Sequence, residues 1–204
     1  MTEITPFAER VRVSLRETLL DAAADLLAAH GFTRLRMADV AAAAGVSRQT
    51  VYNEFGNKSA LVDAVALRTV AEFIDGGERL WRAARSVEEA IQAAVAYTIR
   101  HGRENPLVAS VIGGAEAEDM LPLLTTRGEP VLRPAIERTA WHLVDRVPTL
   151  PADQATLVAE ATIRLSVSHM MLPGGDPETA AAGVCAVVLP AVQLYSTTAK
   201  EPSP

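Results

Sequence analysis

The chain has 204 residues, 49% of them hydrophobic and 4% aromatic, with a net charge of −6. That length and apolar share suit one folded domain, or two small ones, with a substantial core, and they exclude a disordered tail. The single cysteine, Cys185, excludes an intramolecular disulfide and a zinc site built from several thiolates.

Thr5-Pro6 reads as a helix start, with Thr capping and Pro in the first turn. The first helix should run to about His30, burying Leu15, Leu19, Ala22 and Leu26 along one stripe. A short second helix carries Met37, Val40, Ala41 and Ala44 at helical spacing. Gly45 can take the left-handed backbone that ends it, Val46 plugs the turn, and Ser47 caps a third helix. In that helix Val51 and Phe55 lie four apart and face inward, while Arg48, Gln49, Tyr52 and Asn53 fall on a polar face. Asn57-Lys58-Ser59 starts a fourth helix whose stripe continues through Leu61, Ala64, Leu67, Ala71 and Ile74. Gly76-Gly77 should weaken it as a hinge or a loop, with Leu80-Trp81 continuing it or opening a connector.

Ser86-Val87-Glu88-Glu89 fits a capping box, so a fifth helix should run to about Glu104 and stop at Asn105-Pro106. A short helix over 107–112 and another over 115–128 are expected next, broken by Gly113-Gly114. A helix over roughly 129–147 contains Trp141 and His142. Two long helices, 152–172 and 177–199, close the chain, with Pro173-Gly174-Gly175 between them and Pro190 expected to kink the second. Residues 179–199 carry no charge, so a membrane span has to be weighed. Gly183, Pro190, Gln193 and several hydroxyls dilute the apolarity, and a four-helix dimer interface explains two adjacent apolar helices better. The expectation is an all-α protein of about nine helices.

The stretch from Gly31 to Leu61 is the plan of a helix-turn-helix, whose second helix enters the DNA major groove. Arg48, Gln49 and Asn53 are of the types that read base edges, Arg for guanine and Gln or Asn for adenine. Thr50, Tyr52 and Lys58 can reach phosphates, which position a protein without reading sequence. The acidic balance does not oppose this: residues 1–60 carry seven basic and seven acidic groups, and residues 61–204 carry twelve and eighteen. Affinity follows the local patch, not the whole-chain charge. Arg10 and Arg12, in the extension over residues 7–15, either add backbone or minor-groove contacts or belong to a frayed, solvated helix end. No phosphate-binding glycine loop, His-Glu-x-x-His zinc motif or nucleophile elbow is present, and His30, His101, His142 and His169 are scattered. No enzyme activity, cofactor or metal is therefore expected. Cys185 is expected to be a buried small hydrophobe. No signal peptide is recognised, which suggests the cytoplasm.

Residues 16–61 resemble the amino-terminal domain of the TetR family of transcriptional repressors. The resemblance rests on Leu19-Leu20-Asp21-Ala22-Ala23, Gly31-Phe32, Asp39-Val40-Ala41, Ala44-Gly45-Val46-Ser47, Thr50-Val51-Tyr52, Phe55 and Asn57-Lys58. It implies a homodimer, with residues 1–60 binding double-stranded operator DNA and residues 61–204 dimerising and holding an inducer. Two positions depart from the family pattern. Arg36 stands where a Ser or Thr cap is usual, losing a hydroxyl and adding a candidate DNA contact. Glu54 should point away from phosphates, with Lys58 as its expected partner at i,i+4. Ser47 joins the DNA-contact set. Trp81, Tyr97, His101 and Met120 are candidate ligand residues, together with Trp141, His142, Met170 and Met171. Their apolar character suggests a hydrophobic small molecule. The working expectation is a ligand-responsive homodimeric repressor on a near-palindromic operator. The alternatives are a DNA-binding dimer without an inducer, and a helical carrier or enzyme with an unused helix-turn-helix.

Overall fold

The structure, a computed structural model, describes residues 7–113, 128–172 and 174–198. The expected helix start at Thr5-Pro6, most of the expected helix over 115–128 with Met120, and Pro173 lie outside them. The described residues form α1 (Phe7–Arg34), α2 (Met37–Ala43), α3 (Arg48–Phe55), α4 (Lys58–Ala83), α5 (Val87–Glu104) and α6 (Pro106–Gly113), followed by α7 (Glu129–Arg146), α8 (Ala152–Met171) and α9 (Pro177–Thr198). The protein is all-helical, with no strand among the described residues.

Two compact units divide the chain, one from the described parts of 1–68 and 106–122, the other from those of 69–105 and 123–204. In the first, α1 turns sharply at Gly31, whose φ of 73° closes the regular helix near His30. Leu19, Leu20, Ala23 and Leu27 of α1 are buried, as are Met37 and Val40 of α2, Val51 and Phe55 of α3, and Leu61 and Val65 of α4. Leu61 is fully shielded, so its truncation to alanine would cost about 2–5 kcal/mol. Helix α6 packs on α1.

In the second unit α5 lies against both α8 and α9, which pack on each other, and α7 packs on α8. The core joins Trp81, Ile91, Val95 and Ile99 to Leu143, Val158, Val184 and Val188. Thr162 and Ser166 are buried on α8 with hydroxyls satisfied by the Val158 and Thr162 carbonyls, each at 2.7 Å. Gly102 on α5 makes room for Met170 of α8: an added Cβ at Gly102 would collide with its thioether. Cys185 is buried, and that burial raises its thiol pKa. Its Sγ contacts the Glu88 carbonyl at 3.8 Å.

The expected capping box holds, with Ser86 Oγ accepting from the Glu89 N–H at 3.0 Å. Asp176 caps α9 by accepting from the Thr179 N–H at 3.0 Å. A bond from the Thr179 hydroxyl, reinforced by that backbone bond, holds its carboxyl below the usual range. Arg146 at the end of α7 donates to the Trp81 and Ala84 carbonyls, both at 2.8 Å, and so closes the end of α4.

Two expectations are corrected. Helix α4 forms no loop at Gly76-Gly77 but continues to Ala83. Gly76 is instead a point of close approach, since a Cβ there would overlap the hydroxyl and ring of Tyr97. Glu54 does not pair with Lys58, because Gly56, with φ of 77°, ends α3 between them, and i,i+4 neighbours need one continuous helix.

Candidate nucleic-acid interface

The turn between α2 and α3 is built from backbone bonds that the sequence makes affordable. Gly45, φ 68°, takes the left-handed position. Its N–H bonds the Ala42 carbonyl at 3.2 Å, and the Val46 N–H reaches the Ala41 carbonyl at 2.9 Å. That pair is a Schellman ending, which satisfies carbonyls the helix would leave orphaned. Ser47 then accepts from the Thr50 N–H at 3.1 Å, starting α3 two residues after α2 has been closed. Ser47 and Thr50 hydroxyls are also bonded to each other at 2.9 Å. Arg36, by contrast, precedes α2 with extended backbone and no side-chain cap, as expected of a residue without a hydroxyl.

With Val51 and Phe55 buried, α3 has one orientation, and it turns Arg48, Gln49, Tyr52 and Asn53 outward into solvent. Gln49 Nε2 donates to Asn53 Oδ1 at 2.8 Å. The two amides therefore sit in register on one face, and each keeps donor and acceptor capacity for a base edge. Asn57 caps α4 by accepting from the Ala60 N–H at 2.9 Å. Lys58 is half-buried, its Nζ donating to the Thr33 carbonyl at 3.2 Å and standing 4.3 Å over the Phe32 ring. It therefore fastens α4 to the end of α1, with further N–H donors still to offer.

Sequence reasoning missed the surroundings of Glu54. Arg16 Nη1 donates to its Oε1 at 2.7 Å, and Arg12 Nε approaches Oε2 at 3.6 Å. The Arg16 guanidinium also lies 4.7 Å from the centre of the Phe55 ring. The only sequence signal was two arginines one helical turn apart in α1, with no mark of where on α3 they would land.

The ligand candidates fall into groups within the second unit. Tyr97 stacks on His101 at 5.2 Å and 10°, and His101 meets the edge of Phe73 at 4.7 Å. Burial raises the Tyr97 hydroxyl pKa, against the nearby Arg79. Trp81 and His142 are both buried with ring centres 5.6 Å apart. Among the described residues neither Trp81 Nε1 nor His142 Nε2 has a hydrogen-bond partner. Burial lowers the His142 pKa, with Glu78 opposing and Arg138 reinforcing the shift. Met170 is buried against Gly102, and Met171 is half-buried. Trp141 meets the His142 ring edge-on at 4.8 Å but from the outside: it is 55% exposed, 6.0 Å from the Arg138 guanidinium. A helix turns neighbouring residues about 100° apart, so burial of His142 leaves Trp141 outside. An open groove of about 200 Å³ between α5 and α9, lined by Glu88, Gln92, Cys185, Leu189 and Gln193, includes none of the candidates.

A capped tri-helical head with a solvent-facing second helix defines a helix-turn-helix DNA-binding protein. Comparison with known proteins is specific beyond that. Residues 19–65 match the model of bacterial regulatory proteins of the tetR family, and residues 86–190 match that of the bacterial tetracyclin repressor, C-terminal domain. The HTH-type transcriptional regulator AlkX of Mycobacterium tuberculosis is 32% identical over 191 residues, covering 93% of this chain and 90% of that relative. The crystal structure of the TetR family repressor AlkX from Dietzia sp., implicated in biodegradation of n-alkanes, is similar with a TM-score of 0.72. Identity there is 31%, covering 89% of this chain and 96% of that one. A putative TetR-family regulator from Mesorhizobium loti shares the fold at a TM-score of 0.65 and 20% identity, over 90% and 97% of the two chains. The chain belongs to the TetR family of transcriptional regulators.

Proposed function

We propose that the protein is a homodimeric repressor that leaves a near-palindromic operator when a hydrophobic small molecule binds. The observation that carries the DNA half of this reading is the closed α2–α3 turn. It fixes α3 with its own Val51 and Phe55 turned inward and leaves Gln49 and Asn53 projecting from one face. Residues 1–60 would read DNA and residues 61–204 would dimerise and bind the inducer. A dimer would place two such helices about 34–36 Å apart, one helical turn of DNA.

The proposed dimer interface is the outer face of α8 and α9. Leu157, Val187 and Leu194 are 56%, 66% and 58% exposed in the single chain. Val187 and Leu194 lie seven apart on one face, the spacing of a helix-helix seam. Helix α9 is long and apolar enough to cross a membrane by length and composition, with 28% of its most apolar window buried. A second copy explains that exposed face without a bilayer, in keeping with a soluble, cytoplasmic regulator. For the inducer, the aromatic and thioether groups of Trp81, Tyr97 and Met170 favour an apolar body, and the unpartnered Trp81 Nε1 and His142 Nε2 offer few polar handles. An alkyl or acyl compound fits that description, and the AlkX of Dietzia sp. is implicated in biodegradation of n-alkanes.

The test is fluorescence anisotropy with duplex DNA from beside the gene, titrated from about 50 to 200 mM salt. Log affinity should fall with log salt at about −0.9 per phosphate neutralised. Gln49→Ala should lower the preference for cognate over scrambled duplex, while Tyr52→Ala and Lys58→Ala weaken both alike. A flat salt response refutes DNA binding, and equal losses for Gln49→Ala on both duplexes refute its reading role.

A further inference from the structure

We propose that Arg12 grips a DNA phosphate beside the recognition helix, held in place by Glu54 of that helix; this rests on α3 being the DNA-reading element. Glu54 lies on one flank of the Gln49–Asn53 face and Tyr52 on the other. An inserted helix has a phosphate strand on each side of a major groove about 12 Å wide, so each flank faces one strand. A carboxylate there is repelled unless it is neutralised. Glu54 is neutralised, its side chain only 11% exposed and closely bonded by Arg16 at 2.7 Å.

Arg16 satisfies that carboxylate, and Arg12 is the second cation beside a single negative charge. Its side chain is 76% exposed, and its only contact among the described residues is through Nε, at 3.6 Å from Glu54. Among the described residues the two terminal nitrogens of the fork have no partner, and such a fork can bind a phosphate bidentately. The acidic residues farther along α1 do not cancel this charge, since Glu17 and Asp21 lie 3.5 and 2.6 Å from Arg68. Glu54 thus acts as a positioning residue. Its carboxylate lets α1 bring two cations to the flank of α3, the inner one consumed in the pairing and the outer one left for DNA. A phosphate contact of this kind adds affinity without reading sequence.

The test compares wild type, Arg12→Ala and Arg12→Lys by anisotropy on cognate and scrambled duplex across salt. Losing one phosphate contact should shallow the slope by about 0.9 and weaken binding about five- to tenfold near 0.1 M salt, equally on both duplexes. Arg12→Lys should keep the slope, because it keeps the charge. Arg12 is too exposed for its loss to unfold the head, and the melting midpoint checks this directly. If wild type shows the steep slope and Arg12→Ala matches it in affinity and slope, the assignment of Arg12 is wrong while the DNA reading stands. A loss confined to the cognate duplex also overturns it, by making Arg12 a base contact. A flat response in wild type removes the DNA reading itself, and this proposal with it.

Discussion

Gly76 and Gly77 are adjacent in α4 and have opposite surroundings, so replacing each with alanine should move stability in opposite directions. Alanine is favoured over glycine in a helix interior by about 1 kcal/mol. At Gly77 an added Cβ meets nothing within 4 Å. Gly77→Ala should therefore stabilise by about 0.5–1 kcal/mol, a rise of roughly 1–4 °C in melting midpoint for a chain of this length. At Gly76 the same methyl group overlaps the Tyr97 hydroxyl and ring. The ring has to swing aside, giving up its 5.2 Å stack on His101 and its long hydrogen bond to the Glu72 carbonyl at 3.5 Å. Overpacking of this kind costs about 1–3 kcal/mol, which outweighs the helix-propensity gain and leaves a net loss of roughly 0.5–2 kcal/mol. A double-mutant cycle isolates the cause. With Tyr97→Ala in place, Gly76→Ala should change sign and stabilise by up to about 1 kcal/mol. Urea unfolding followed by circular dichroism measures all four variants, at one fixed protein concentration because a dimer's midpoint depends on it. If Gly76→Ala stabilises as much as Gly77→Ala while Tyr97 is present, the close approach is wrong and α4 regains its hinge.

Two further outcomes follow from the caps and from the buried imidazole. Ser47→Ala removes the acceptor for the Thr50 N–H, which should cost about 1 kcal/mol, while Ser47→Asn keeps the cap and most of the stability; an unchanged unfolding midpoint for Ser47→Ala would show that the cap contributes nothing. His142 has a pKa held below its ordinary 6.5 by burial, so the unfolded chain takes up that proton first as pH falls. The stability tied to neutral His142 is therefore complete above about pH 6.5 and drains away as pH drops through the depressed folded value. Denaturant unfolding between about pH 7.5 and 5.5 should show a smaller decline in His142→Gln than in wild type; identical declines would mean that the imidazole titrates alike in both states.

What the sequence determined by itself is local. Gly45, Val46 and Ser47 encode a helix end, a turn and a helix start within three positions, because each acts on backbone groups at most a few residues away. The Ser86–Glu89 cap and the stop at Asn105-Pro106 were legible for the same reason. The inward face of α3 followed from two apolar residues four apart. Family membership rode on this local pattern, since it is the pattern that must close a tight turn.

Only tertiary structure decided what lies across from each helix. Arg16 meets Glu54 from 38 positions away, and no periodicity announces a pairing between helices. The nearer guess, Lys58, failed because Gly56 had already turned the backbone. Gly76 looked like a break because glycine is costly in a helix, yet it is the space into which Tyr97 of α5 packs. Trp141 and His142 were indistinguishable as neighbours in sequence, and packing buried one and exposed the other. Periodicity shows which side of a helix turns inward, but the identity of the groups waiting there depends on chain contacts that form only when the helices are assembled.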